Sequence, residues 1–456
     1  MSEQPRHPKT LGRRDIVLFT VSAILLLDTL AAGASIGPSA IVWWVLLGLI
    51  FFVPYALICA ELGTTYPEQG GIYAWVRHAF GRRWASRATW AYWVNTAVWI
   101  PANVILFTGI FAQLFAPGLG MPAQIALGIA LLWLAVGVNV ITLDVGKWVP
   151  NFGAIIKIVV ITVVMFGAYS YVQEHGMAND LSPKNLMPSW DGSLEYISVI
   201  IYGMLGFELA SAGSGEMKDP ARDVPLAILF SGLIIIVLYT LATLAILAAI
   251  PAADIDLVEG LVDTLALLLG DGPTGRLLVA AFGIGALYTF FSNSVTWSLG
   301  CNRAMAEAAA EGEFPALFAR QHARLGTPVG AAVLMGATGT LALLVYGFLA
   351  ASNADLFWTL FAFSGAIFLL PYVMLVFAFA RLRRSDATRP RPFRVPGGDA
   401  VGQLFAYVCA GLLLVAIAFF VYTPGSGVDE ALLVGLAVVL LCGEALIQIT
   451  ERRTSD

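Results

Sequence analysis

The sequence predicts an all-α, polytopic membrane protein of twelve transmembrane helices, and three observations carry that prediction. Hydrophobic residues make up 59% of the 456 and charged residues only 12%, about half the charged share of a soluble domain. Apolar stretches of about 20 residues, the length that crosses a bilayer as a helix, recur along the whole chain. Lysine and arginine gather in alternate connections between those stretches, as expected when every second connection is cytoplasmic.

Taken in order, the spans fall near 15–36, 40–64, 89–115, 123–143 and 149–172, then 194–214, 225–249, 276–300, 328–349 and 355–381, and last 402–422 and 429–449. Residues 1–14 are polar and basic and lack the short apolar core and small-residue cleavage site of a secretory signal, so they read as a cytoplasmic tail, as does 450–456. With the N-terminus inside, 22 of the 25 lysines and arginines face the cytoplasm; Lys184 and Arg276 lie outside, and Lys157 lies within a span. Both termini are thereby expected on the inner side of the cytoplasmic membrane. The stretch from Pro251 to Gly275 carries Asp254, Asp256, Glu259, Asp263 and Asp271 without a basic residue, and reads as an outer loop.

Composition also narrows function. A chain this apolar offers no nucleic-acid surface, and its net charge of −5 says little where sidedness of charge matters more than its sum. Cys59, Cys301, Cys409 and Cys442 lie in apolar stretches without metal-type spacing, so neither a disulfide framework nor a metal site is expected, and no cofactor. His7, His78, His175 and His322 all lie outside the spans, which argues against a histidine proton relay. No nucleophile with an adjacent base is visible, as a membrane enzyme would need. A substrate sensor built on a transporter scaffold stands as the alternative of another class; such sensors usually add a long soluble tail, and here seven residues follow the last span.

Several spans carry groups that lipid does not tolerate without reason. Lys157 sits mid-segment in Asn151-Phe-Gly-Ala-Ile-Ile-Lys-Ile-Val-Val, where a cation costs several kcal/mol unless it faces a cavity or a partner. Either it works in a site or it holds two helices together. The first span carries Ser22 and Asp28 and ends in Ala32-Gly-Ala-Ser-Ile-Gly-Pro38; the sixth holds Gly203, Gly206, Glu208, Gly213 and Gly215. Small and polar residues let a helix unwind where it borders a cavity. Interruptions at the first and sixth spans, matching members of two five-helix halves, point to a transporter site between them.

Four motifs carry a family resemblance. Glu61-Leu-Gly-Thr-Thr-Tyr-Pro-Glu-Gln-Gly-Gly-Ile-Tyr-Ala-Trp-Val-Arg-His-Ala-Phe-Gly81 follows the second span. Tyr202-Gly-Met-Leu-Gly-Phe-Glu208 and then Gly215-Glu-Met-Lys-Asp-Pro-Ala-Arg-Asp-Val-Pro-Leu-Ala227 occupy the sixth span and its exit. Asn302-Arg-Ala-Met, Glu313-Phe-Pro and Gly326-Thr-Pro follow the eighth span, and Arg391-Pro-Phe-Arg-Val-Pro-Gly-Gly398 precedes the eleventh. In this order the chain resembles the amino acid/polyamine/organocation superfamily, with its closest flavour in bacterial amino acid/amine antiporters such as the glutamate/GABA antiporter branch. The resemblance implies a leucine-transporter-like fold: inverted repeats over 15–172 and 194–381, two further helices over 402–449, and a substrate held between the broken first and sixth helices. It implies a secondary transporter of amino acids or small organic amines, a monomer or homodimer in the lipid bilayer.

The resemblance also assigns candidate residues. Relatives bind a substrate carboxylate on a Gly-Ser-Gly break in helix one, where this chain aligns Leu26-Leu27-Asp28. A carboxylate there repels another carboxylate, so Asp28 either binds the ammonium of a cationic amine or polyamine, or pairs with Lys157 and leaves an ordinary neutral or acidic amino acid as substrate. Lys157 matches a fifth-span lysine standing where sodium-coupled relatives hold an ion, which argues against sodium coupling. Exchange or proton coupling remain as the two drives, since burial disfavours the charged form of lysine. Tyr202 and Trp297 match aromatics that cover the substrate or line its path, and Glu208 matches a gating acid. Ser22, Gly203 and Gly206 line the breaks, and Asn95, Trp99 and Asn103 are candidate polar lining from the third span.

Overall fold

A computed structural model describes residues 12–68, 70–141, 148–188, 197–212, 219–256, 260–270, 272–423 and 427–455, except the side chains of Asp28, 210–212, Pro220, Ala221, Tyr346 and 453–455. The first predicted span is two short helices, α1 (Arg13–Ile24) and α2 (Asp28–Ala34), separated by Leu25–Leu27. Next, α3 (Ser39–Leu47) passes through a π-helical turn at Gly48–Phe52 into α4 (Val53–Thr65), forming one span. The turn sits where α4 meets its neighbour closely: a Cβ on Gly48 would stand 2.3 Å from Ile236. A short amphipathic helix, α5 (Ile72–Phe80), is set off by Gly71 and Gly81, both with positive φ, a conformation that glycine adopts without steric cost. The half closes with α6 (Arg82–Phe115), α7 (Met121–Ile141) and α8 (Trp148–His175).

A one-turn helix, α9 (Pro183–Leu186), precedes the sixth span, which is again broken: α10 (Ile197–Gly203) and α11 (Phe207–Ala212) flank Met204–Gly206. Then follow α12 (Pro220–Ala249), α13 (Gly260–Leu269), α14 (Pro273–Ala310), α15 (Val329–Leu349), α16 (Asn353–Ser385) and α17 (Gly398–Val421). A two-residue antiparallel pair, β1 (Tyr422–Thr423) and β2 (Gly427–Val428), leads to α18 (Glu430–Ser455). Among the described residues ten spans are unbroken and long and apolar enough to cross a membrane. The first and sixth predicted spans are absent from those ten because each is split in two.

Two expectations are corrected. The acidic outer stretch is no plain loop: α13 lies within it, burying Val262 and Leu265 while Asp263 bonds Gln113. The third and eighth spans also run past their predicted ends, α6 starting at Arg82 and α14 continuing to Ala310. Hydropathy reports the thickness of hydrocarbon a helix crosses, whereas the helix continues into polar sequence wherever its hydrogen bonds and packing continue. The core lies around α6, α14 and α16; the most apolar stretch of α16 is 78% buried, that of α18 only 22%, so α18 lies at the periphery of the bundle.

At the end of the bundle carrying most of the basic residues, two of the signature motifs turn out to be one contact. Glu61, at the end of α4, is fully buried and accepts Nε and Nη2 of Arg383 at 3.0 and 2.6 Å, Nη1 of Arg391 at 3.2 Å and the amide of Val395 at 2.7 Å. The motif beginning at Glu61 therefore clamps the Arg391 to Gly398 loop. Glu313 does the same for a second pair of motifs, accepting Tyr73 at 2.9 Å, Arg82 at 3.2 Å and Ser86 at 2.8 Å. Burial first, and the Glu313 carboxylate second, hold the Tyr73 phenol well above its ordinary pKa.

Candidate functional site

The break in the first span leaves helix-end carbonyls without helical partners, and three distant helices supply them. Lys157 of α8 donates to the Ser22 carbonyl at 2.6 Å. Trp297 of α14 donates through Nε1 to the Ala23 carbonyl at 3.0 Å. Tyr239 of α12 donates to the Ile24 carbonyl at 2.6 Å and accepts from the Leu26 amide at 2.8 Å and the Thr29 hydroxyl at 3.0 Å. Its ring stacks on Trp44 at 4.3 Å. The negative end of α1 thus faces a lysine cation, the arrangement favoured by the helix dipole.

Lys157 is fully buried and its ammonium also donates to Oδ1 of Asn293 on α14 at 2.5 Å. It therefore joins the first, fifth and eighth spans at one point. Ser22 contributes its carbonyl there; its hydroxyl has no hydrogen-bond partner among the described residues. Asp28 opens α2, and its side chain lies outside the described residues, so both readings of that carboxylate stand.

The break in the sixth span packs directly on the first. A Cβ on Gly203 would stand 3.3 Å from the Thr29 hydroxyl, and one on Gly206 would stand 2.9 Å from Ile24 and 3.4 Å from Trp297. Gly206 has φ +134, so this position needs glycine for conformation as well as for space. Two residues further on, Glu208 is buried in a nest of phenols: Tyr92 and Tyr372 donate to Oε1 at 2.8 and 2.6 Å, and Tyr55 donates to Oε2 at 2.6 Å. Those tyrosines come from α6, α16 and α4, so four helices meet at one carboxylate.

The aromatic side chains form a continuous wall around this acid. Phe368 lies 5.0 Å from Tyr202, 5.2 Å from Trp297, 6.2 Å from Tyr92 and 4.7 Å from Tyr372, ring centroid to ring centroid. Tyr202 and Trp297, the aromatics expected to cover the substrate or line its path, are joined through Phe368. Trp99 touches Trp297 at 6.2 Å. Asn103 is drawn away into helix packing, donating to the Phe290 carbonyl at 2.6 Å and the Ser294 hydroxyl at 2.8 Å. Asn95, with its amide reoriented, donates to the Ser364 carbonyl at 3.0 Å.

Sequence reasoning missed Tyr55, Tyr92, Tyr239, Asn293, Phe368 and Tyr372. The available signal for two of them was Phe368-Leu-Leu-Pro-Tyr372, aromatics four residues apart around a proline within a span, the spacing that places both on one helix face. No group of three or more His, Cys, Asp or Glu among the described residues is placed to hold a metal ion.

A family model described as amino acid permease matches residues 11–442. The chain belongs to the amino acid permease family. It is a multi-pass secondary transporter of the amino acid/polyamine/organocation superfamily, with amine antiporters among its relatives. It is 32% identical over 441 residues to a probable agmatine/putrescine antiporter of Lactococcus lactis subsp. lactis, covering 95% of this chain and 93% of that one. It is 28% identical over 373 residues to a polyamine transporter of Oryza sativa subsp. japonica, covering 79% and 64%. Among solved structures, MhsT in complex with L-phenylalanine superposes with a TM-score of 0.65 at 13% identity, covering 91% of this chain and 99% of that one. A manganese transporter of Eremococcus coleocola gives 0.59 at 16% identity, covering 96% and 93%. These similarities give the permease the leucine-transporter-like fold.

Proposed function

We propose that this permease exchanges small cationic amines of the agmatine, putrescine and polyamine class across the cytoplasmic membrane by alternating access, without sodium. The observation that carries the reading is the chemistry at the meeting of the two helix breaks: the Glu208 carboxylate, the ring faces of Tyr202, Tyr92, Trp297 and Phe368, and the second lone pairs of the α1-end carbonyls that Trp297 and Tyr239 already bond. Each is a partner for an ammonium. An ammonium over such a ring gains about 0.5–2 kcal/mol, and carbonyls at the negative end of a half-helix attract a cation. The two relatives, a probable agmatine/putrescine antiporter and a polyamine transporter, support the same substrate class. Lys157, standing between the first, fifth and eighth spans, supports sodium independence, because its ammonium fills a position that an ion would otherwise need.

In this reading Tyr202 and Trp297 cover the substrate, Glu208 gates the site, and Ser22, Gly203 and Gly206 shape it, while Asn103 braces α6 against α14 behind it. Asp28 either completes the amine site or neutralises Lys157. Both termini lie in the cytoplasm, 15–172 and 194–381 form two inverted repeats, 402–449 adds two helices, and one helix bundle rocks against the other to open the site to either side. The unit is a monomer or homodimer in which each copy holds its own site, and it transports rather than senses or catalyses.

Counterflow in proteoliposomes tests the proposal. Vesicles loaded with unlabelled putrescine should accumulate labelled agmatine or putrescine equally in sodium and choline buffers. Accumulation of neutral amino acids in place of amines would overturn it, and binding without accumulation would mark a sensor. Amine movement driven by an imposed pH gradient in vesicles without internal amine would assign proton coupling; its absence would assign obligatory exchange.

A further inference from the structure

Six arginines lie between Arg381 and Arg394. Arg383, Arg389, Arg391 and Arg394 each lie within 4 Å of a carboxylate. Arg381 and Arg384 do not, among the described residues. Both are exposed, one helical turn apart at the end of α16, and both border a groove of 660 Å³ whose remaining walls are mostly apolar. The groove runs between α16, α17 and the junction of α5 and α6, with Phe80, Trp84, Met374, Phe377 and Tyr407 as its largest apolar surfaces.

The two guanidinium groups are held at the rim without being neutralised. That of Arg381 lies 5.2 Å above the Phe80 ring, and Arg384 donates to the Tyr407 hydroxyl at 3.5 Å. Trp84 and Tyr407 are 47% and 48% exposed beside them, the amphipathic aromatics that settle at the headgroup level of a bilayer. Below the rim the walls are hydrocarbon; at the rim stand two charges that recognise phosphate oxygens through paired N–H donors. Basic pockets between transmembrane helices at the cytoplasmic leaflet bind anionic headgroups.

We propose that this groove binds one anionic glycerophospholipid of the cytoplasmic leaflet, its phosphodiester on Arg381 and Arg384 and an acyl chain along Met374 and Phe377. The leaflet follows from the orientation proposed above; the binding itself does not depend on it. Its consequence is a lipid seated on α16, the helix that also supplies Tyr372 to Glu208 and Arg383 to Glu61.

Native mass spectrometry of the purified full-length protein in detergent tests this, comparing dioleoyl phosphatidylglycerol, dioleoyl phosphatidylcholine and glycerol 3-phosphate. The phosphatidylglycerol adduct should survive activation that strips phosphatidylcholine, and glycerol 3-phosphate should leave none. Arg381→Gln and Arg384→Gln should each weaken phosphatidylglycerol binding about fivefold, with the double variant falling to the phosphatidylcholine level, while Arg381→Lys/Arg384→Lys retains part of the preference. Equal retention of both lipids by the wild-type protein would leave only ordinary annular contact and overturn the proposal, whatever the variants do. Binding of glycerol 3-phosphate alone, or full phosphatidylglycerol retention by a folded double glutamine variant, would overturn it too.

Discussion

Among the described residues of the site, Lys157 and Glu208 are the two fully buried ionisable side chains, and they are held in opposite ways. Lys157 donates to a main-chain carbonyl and an asparagine; Glu208 accepts from three phenols. Lys157→Ala removes the donor from the buried Ser22 carbonyl and should cost about 1–3 kcal/mol of stability. If Asp28 pairs with Lys157, the same change strands a second charge and the loss should reach about 3–5 kcal/mol. If Asp28 belongs to the substrate, Asp28→Asn should abolish amine binding while leaving the melting temperature close to wild type. Thermal unfolding in detergent, read beside ligand-induced stabilisation, separates the two cases. Glu208→Gln preserves shape and lets the amide replace the carboxylate among the phenols, so stability should change by less than about 2 kcal/mol. Amine affinity should fall at least about tenfold, the loss of roughly one charge-assisted contact, as measured by equilibrium binding.

The working elements are the two interrupted helices, and their interruptions need specific support. Tyr239 is the main support of the first: one hydroxyl serves the Ile24 carbonyl, the Leu26 amide and Thr29. Tyr239→Phe should therefore destabilise the protein by about 1–3 kcal/mol, more than loss of a single exposed hydrogen bond, because it orphans one buried main-chain group at the end of α1 and another within the break. In the sixth span the support is glycine itself. Gly206→Ala places a Cβ on a backbone at φ +134 and within 2.9 Å of Ile24, so the variant should lose exchange in counterflow and about 1–3 kcal/mol of stability.

For the whole molecule, the sequence signatures that flank the spans act as clasps between distant segments. Glu61 meets Arg383 across 322 residues and Val395 across 334, so α4, α16 and the loop before α17 are tied at one buried acid. Glu61→Ala leaves Arg383 and Arg391 buried without that partner and should cost about 3–5 kcal/mol, visible as a large drop in melting temperature. The exposed pair Arg83 and Glu451, bonded at 2.9 Å, should contribute almost nothing measurable when broken. The contrast between the two variants distinguishes a clasp from a surface ion pair.

Membrane class, helix positions, the two interrupted spans and the place of Lys157 inside a span could all be read in the sequence, because each is a local property: hydropathy over twenty residues, a glycine where helix is expected, a cation where lipid is expected. The partners of those features could not. Tyr55, Tyr92 and Tyr372 lie 153, 116 and 164 residues from Glu208, and within an apolar span a tyrosine that holds a carboxylate reads the same as one that packs. Asn293 and Tyr239 were silent for the same reason. Only the tertiary structure decided which carbonyls Lys157, Trp297 and Tyr239 would reach and which acid the phenols would surround, since those contacts are fixed by how α6, α8, α12, α14 and α16 cross and not by any spacing along the chain.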